Sequence, residues 1–213
     1  MKSGVISAVH QDPKNKHRYH IYVDDEFAFS VHEDILVKYH LLKGTDLDEA
    51  FCREVLLAEE EHRAYILALR YLGIRPRTVQ QVIHYLQEKG FPPELAQKVS
   101  RRCEQQGYLD DEAFSRQWVN ERLRMKPRSP YVLRMELKQR GVANHIVDEA
   151  IGSISREEEL AAARKMAAKR LKHIEGTPDA ETERKLIAML MRKGFASSVI
   201  QTLRREWREG RIQ

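Results

Sequence analysis

The sequence predicts a mainly α-helical protein: a tandem array of three three-helix modules preceded by a small N-terminal β-meander with a helix. Three observations predict it. The 213 residues are 32% charged but only 8% aromatic, with 10 Gly and 7 Pro. That composition favours solvent-washed helices over a turn-rich sandwich or barrel. A pattern Leu-x-x-basic-Gly-apolar occurs three times, its glycines 51 and 53 residues apart. The first forty residues instead alternate apolar and polar side chains, as half-buried strands do.

Residues 1–45 form the β segment. Val5-Ile6-Ser7-Ala8-Val9 reads as a strand, and Asp12-Pro13-Lys14-Asn15-Lys16 as a turn. Arg18-Tyr19-His20-Ile21-Tyr22-Val23 is a second strand; a tight turn at Asp24-Asp25-Glu26 leads into Phe27-Ala28-Phe29-Ser30-Val31. Ile21 and Val23 are the expected core. Three short strands cannot stand alone and need a helix to pack on. The segment from His32 to Tyr39 supplies one, with Gly44 as its expected C-cap. Residues 46–61 are an acidic linker that starts the next helix.

The modules follow at 62–109, 110–154 and 155–213. Their repeated cores are Leu86-Gln87-Glu88-Lys89-Gly90-Phe91, Leu137-Lys138-Gln139-Arg140-Gly141-Val142 and Leu190-Met191-Arg192-Lys193-Gly194-Phe195. Twelve residues before each Gly stands a hydroxyl residue, Thr78, Ser129 or Thr182, each expected to N-cap a helix that ends at the Gly. Pro130 follows Ser129 at the favoured first position. Apolar pairs precede each Gly by eight and four residues: Val82 and Leu86, Leu133 and Leu137, Leu186 and Leu190. After it, a four-spaced stripe recurs: Phe91, Leu95, Val99; Val142, Ile146, Ala150; Phe195, Val199, Leu203. A basic residue before Gly suits the negative helix end, and Gly takes the left-handed conformation there. An earlier helix precedes each pair, at about 59–72, 111–125 and 157–173.

The net charge of +5 is unevenly spread: residues 1–45 are neutral, 46–61 carry −6, 62–109 carry +5, 110–154 carry +1 and 155–213 carry +5. A basic body of this kind meets phosphate or an acidic protein surface, or is a solvated helical exterior; charge alone leaves both open. No apolar stretch approaches the ~20 residues of a bilayer span, and residues 1–10 are not expected to be a secretory signal. Cys52 and Cys103 form no Cys-x-x-Cys pair, which points to a reducing, cytoplasmic setting.

In Gly107-Tyr108-Leu109-Asp110-Asp111-Glu112-Ala113-Phe114 the three acids diverge by about 100° per residue, so they cannot share one ion. Asp110 is the expected helix cap, with Asp111 and Glu112 favouring the positive helix end. Phe114, Trp118 and Leu123 form the apolar stripe downstream. Arg116, Asn120 and Arg124 share another face, and Arg122, Lys126, Arg128, Arg134 and Lys138 extend a basic ridge. Arg101-Arg102 and Arg204-Arg205 add basic pairs in the outer modules. Such a ridge binds phosphates or acidic side chains, or is solvated charge. His17 and His20 fall on opposite strand faces with neither a cysteine nor a Glu-x-x-His spacing beside them; no metal is expected, and the histidines of the segment read as surface or interface residues. Phosphate-loop, Gly-x-Gly-x-x-Gly and Gly-x-Ser-x-Gly motifs are absent, so an enzyme is the least favoured class.

Tyr71-Leu72-Gly73-Ile74-Arg75-Pro76-Arg77-Thr78, the Leu-x-x-Lys-Gly-Phe segment, the Gly107–Phe114 stretch, Arg122, Pro127-Arg128-Ser129, Glu136-Leu137 and Gly141-Val142 together resemble the RecX family, bacterial regulators of the RecA recombinase. The likeness covers roughly residues 60–210, and the N-terminal meander resembles the extension of longer family members from Gram-positive bacteria. Lys126-Pro127 departs from the family's frequent Gly near this turn. The resemblance implies a curved helical array, monomeric and without a cofactor, lying along the groove of the RecA–DNA filament and inhibiting its ATPase, strand exchange and growth in DNA repair and the SOS response. Arg122, Arg124, Lys126, Arg128, Arg134 and Lys138 are then the expected central contacts, with Arg116, Arg101, Arg102, Arg204 and Arg205 around them. Single- or double-stranded DNA is a non-specific second partner, and no membrane is involved. The rival reading is a direct DNA-binding regulator built from helix-turn-helix-like modules; Asp148 and Glu149 on the third helix of the middle module make it a poor major-groove reader.

Overall fold

In the computed structural model, which describes residues 3–171 and 180–209, the alternating N-terminal segment forms β1 (Gly4–Gln11), β2 (Arg18–Val23) and β3 (Glu26–His32). The two-residue loop Asp24-Asp25 has φ of 49° and 62°, the left-handed geometry that matches strand twist in a tight hairpin. Register slips at Ser7 and Ala28 leave Ile6, Ile21, Val23 and Val31 on one face, all wholly buried.

A fourth strand, β4 (Asp46–Leu47), pairs with β1 and gives the order β3-β2-β1-β4. It was invisible in the sequence because two residues show no alternation. Helix α1 (Glu33–Lys38) closes at Tyr39, not at Gly44. Gly44, with φ 92°, instead turns the chain into β4, and its N–H reaches the Ile6 carbonyl at 2.8 Å.

The acidic stretch is part of one helix, α2 (Glu49–Ile74), N-capped by Asp48. Its 26 residues span about 39 Å. Cys52 and Val55 in its first half join the sheet core with Ile35, Leu41 and Leu47. Ala64, Tyr65 and Ala68 in its second half are buried, and this half packs on α4 (Pro93–Gln105). Tyr71 stacks on Tyr85 of α3 (Val79–Glu88) with ring centroids 4.0 Å apart.

The chain divides into two units, Met1–Arg75 with Val82–Tyr108, and Pro76–Gln81 with Leu109–Gln213. The second contains α5 (Asp111–Met125), α6 (Pro130–Gln139), α7 (Asn144–Gly152), α8 (Arg156–Leu171), α9 (Ala180–Arg192) and α10 (Ser197–Arg208). The expected helix at 157–173 is described to Leu171; its last two residues lie outside the described set. One core gathers Val119, Leu133, Leu137, Val142 and Val147. Another gathers Ala163, Ala167, Leu186, Leu190 and Phe195, and Leu123 packs against both.

The three repeats close identically. Gly90, Gly141 and Gly194 have φ of 89°, 78° and 75°. Each glycine N–H bonds a carbonyl three residues back, and the following apolar N–H bonds the Leu carbonyl five back, at 3.2 Å in every case. These are Schellman closures, which satisfy helix-end carbonyls and fold the apolar residue back onto the helix. Phe91, Val142 and Phe195 are accordingly buried, but Leu95 and Ile146 are only half-buried. Ala96 and Val147, one position later, take the inward place.

Ser129 caps α6, its Oγ accepting from Val132 N at 3.2 Å, with Pro130 in the first turn. Thr78 Oγ1 likewise accepts from Gln81 N at 3.2 Å. Thr182 differs: it lies inside the first turn of α9. The two capping hydroxyls also donate. Thr78 bonds the Arg140 carbonyl at 2.6 Å, and Ser129 bonds the Lys193 carbonyl. Arg140 and Lys193 each directly precede the closing glycine of a repeat, so the same contact recurs in the same register. A Cβ on Gly141 would collide with Gln80, and one on Gly194 would lie 2.6 Å from the Tyr131 Cβ, whereas Gly90 faces open space.

Candidate functional site

The basic ridge is sorted by its partners. Helix α5 starts at Asp110, whose carboxylate accepts from Ala113 N at 2.8 Å. Asp111 does more than favour its own helix: it accepts from Val79 N at 2.9 Å. Burial pushes its carboxyl up, against the lowering effect of that bond. Inward from this start, Ser115 and Val119 are the buried residues, with Phe114, Trp118 and Leu123 half-buried beside them.

Glu136 of α6 organises the centre. It accepts from Trp118 Nε1 at 2.9 Å and from Arg122 Nε at 3.2 Å, and Arg128 Nε lies 3.7 Å away. The Trp118 ring is covered by the guanidiniums of Arg122 and Arg140, 4.1 and 3.8 Å from its centroid. Both cations are thus held in stacking geometry. Arg134 pairs with Asp148, and Arg116 lies 3.6 Å from Glu112. Arg204 pairs with Glu183 at 2.6 Å, and its hydrogen bond holds the Glu183 carboxyl below the usual range. In the first unit, Arg102 stacks on Tyr65 at 3.9 Å. Arg124, Lys126, Lys138, Arg101 and Arg205 are exposed.

Lys126 and Arg128 lead into a cleft of about 620 Å³ within the second unit. Lys165, Lys169 and Arg170 from α8 and Lys193 after α9 complete a lining that, among the described residues, holds six cations and no carboxylate. Met125, Met166, Met189 and Pro127 supply its apolar wall. Sequence reasoning missed the four C-terminal cations. Lys165 and Lys169 stand four residues apart on α8, the signal that could have found them. Six like charges on a concave surface raise the local concentration of anions.

Elsewhere, His17 meets Glu33 and His20 meets Ser30 and Asp12, so these two histidines do not converge. Cys52 and Cys103 are buried free thiols, and burial pushes both upward. No helix among the described residues is long and apolar enough to cross a membrane.

A capped sheet followed by three-helix repeats with a common closure defines a modular helical protein whose most distinctive surface is cationic. Four family profiles match along the chain: the regulatory protein RecX N-terminal domain over residues 4–48, and the first, second and third three-helix domains of RecX over 64–103, 110–151 and 157–203. A "Regulatory protein RecX" of Limosilactobacillus reuteri (strain DSM 20016) is 32% identical over 193 residues, spanning 91% of this chain and 73% of that one. One of Bacillus subtilis (strain 168) is 32% identical over 195 residues, with 92% and 74% covered. A crystal structure of a regulatory protein RecX superposes with a TM-score of 0.79 at 30% identity, covering 94% of this chain and 98% of that one. The chain belongs to the RecX family.

Proposed function

We propose that this protein regulates RecA, binding the RecA–DNA filament and slowing its ATP hydrolysis, strand exchange and growth. Membership in a family of regulatory proteins supports the regulatory part. The observation that carries the contact is the cleft that Lys126, Arg128, Lys165, Lys169, Arg170 and Lys193 line together, without a carboxylate among its described lining residues. A filament offers phosphates and acidic side chains in a regular array, and a cleft with six converging cations suits either. The exposed Arg124 and Lys138 extend the contact, with Arg101 and Arg205 outside it. Arg122 and Arg140 serve chiefly to hold the Trp118–Glu136 centre, and Arg128 both approaches Glu136 and faces the cleft. The protein acts as a monomeric cytoplasmic factor without catalysis of its own.

The test is inhibition of RecA's DNA-dependent ATP hydrolysis by the wild-type chain and by the triple variant Lys126→Glu, Lys169→Glu, Lys193→Glu. All three side chains are exposed, so circular dichroism should be unchanged. The inhibition constant should rise at least about tenfold, ~1.4 kcal/mol; an unchanged constant would refute the assignment. A mobility shift on duplex DNA without RecA addresses the rival. Sequence-selective binding that survives physiological salt would favour a direct DNA-binding regulator, while weak binding with a steep salt dependence fits the filament reading.

A further inference from the structure

We propose that His32, Asp34 and His62 bind a late first-row divalent metal ion, with zinc as the working probe. The site lies wholly in the first unit and goes beyond the regulatory reading.

Three elements build it. β3 pairs with β2 so that Arg18 faces His32, which sets His17 beside α1; the Glu33 N–H bonds the His17 carbonyl at 2.9 Å. His32 ends β3 and caps α1, whose first turn carries Asp34. Helix α2 then presents Glu59 and His62, three residues apart and therefore on one face. Glu59 is nearly buried and accepts from Arg18 at 2.8 Å and from His32 N at 2.8 Å. That fixes the sheet edge against α2 and brings the His32 and His62 rings to 4.3 Å.

The spacing is that of a ligand set. Asp34 Oδ2 lies 3.5 Å from His32 Nδ1 and 3.6 Å from His62 Nε2. Two ligands on a tetrahedral zinc, each about 2.0–2.1 Å from the ion, stand about 3.4 Å apart. The His62 Nε2 atom is buried and has no hydrogen-bond partner, a state that buried polar atoms seldom keep without a ligand. Ligation through His32 Nδ1 would replace the 3.2 Å bond it accepts from Asp34 N. His17, exposed and stacked on His32 at 6.0 Å, adjoins the three ligands. Glu33 stands with it, 2.7 Å from His17 Nδ1.

Arg18, Arg63 and Arg70 line the adjoining hollow of about 220 Å³. Glu59 neutralises Arg18, and Asp34 with Glu33 brings the negative charge a dication needs. Two imidazoles and a carboxylate suit zinc, cobalt or nickel rather than magnesium or calcium. The bound ion would tie β3 and α1 to α2.

The full-length chain, stripped with a chelator, is titrated with Zn²⁺ by calorimetry and with Co²⁺ by visible absorption. One ion per chain with a tetrahedral cobalt spectrum is expected, together with a zinc-dependent rise in the thermal midpoint. Asp34→Asn, at a largely exposed position that tolerates it, and His62→Gln should each weaken zinc at least about tenfold. Zinc binding that is absent, or equally tight in the wild type and Asp34→Asn, would overturn the proposal. No RecA enters the assay, so its failure leaves the regulatory reading standing.

Discussion

At the scale of the residue, Thr78 and Ser129 each serve two helices at once: the hydroxyl accepts from the N-terminus of its own helix and donates to the carbonyl before a later glycine, 62 and 64 residues away. Ser129 is wholly buried. Ser129→Ala removes a cap worth about 1 kcal/mol and strands a carbonyl at a further cost of roughly 1 kcal/mol or more. Urea unfolding should show a loss near 2 kcal/mol; a change below about 0.5 kcal/mol would contradict the double role. The closing glycines make a sharper comparison. Gly90→Ala should cost about 1 kcal/mol, from left-handed backbone strain alone. Gly194→Ala adds the collision with Tyr131 and should cost clearly more in the same measurement; equal losses would show that Tyr131 yields freely. The capping role of Thr78 and Ser129 was legible from their fixed distance to Gly, although the same distance falls inside the first turn of α9 at Thr182. The carbonyl they hold was not, because a pattern local in sequence cannot say which distant helix end comes to rest beside it.

Among the elements, α5 and α6 show why a charge pattern is only half a site. Four-residue spacing correctly placed Arg116 and Arg124 on one helix face. It could not reveal that Glu136, on the next helix, accepts from both Trp118 and Arg122. Glu136→Ala leaves these donors without their acceptor and should destabilise the fold by about 1–3 kcal/mol, with a shift in Trp118 fluorescence; unchanged stability would show the pair already satisfied by water. Helices α9 and α10 carry a pH-dependent tie. Arg204, and then Arg208, hold the Glu183 carboxyl below its ordinary value. The unfolded chain therefore binds this proton at a higher pH than the folded one, so the tie stabilises above the unfolded value near 4.5 and is lost as pH falls through the lowered one. Glu183→Gln should flatten the acid limb of a stability–pH curve, and an unaltered slope would contradict the tie. Element boundaries were most legible where a cap and a stop coincide, as in α5. They were least legible for α2: the acidic segment was expected to start a helix, but that helix begins at Glu49, ten residues before the expected 59–72 span, and runs unbroken to Ile74. Its buried Glu59 answers Arg18 of the sheet, and composition alone cannot register that pairing.

For the whole molecule, the repeated Leu-x-x-basic-Gly-apolar pattern made the helical array legible, since each copy states its own closure. The cationic cleft was only partly legible. Lys126 and Arg128 were in view, but Lys165, Lys169 and Arg170 of α8 and Lys193 just after α9 meet them only in the fold. The histidine group was hidden in the same way, because His62 reaches His32 from another element. Attraction between exposed charges weakens with ionic strength, so a contact made through this cleft should fade as salt is raised. Co-sedimentation with RecA filaments assembled on single-stranded DNA puts the central claim to its most direct test. The wild-type chain should pellet with the filament at physiological salt, and the Lys126→Glu, Lys169→Glu, Lys193→Glu variant should remain in the supernatant. Equal pelleting of the two proteins, or a wild-type chain that does not pellet, would contradict it.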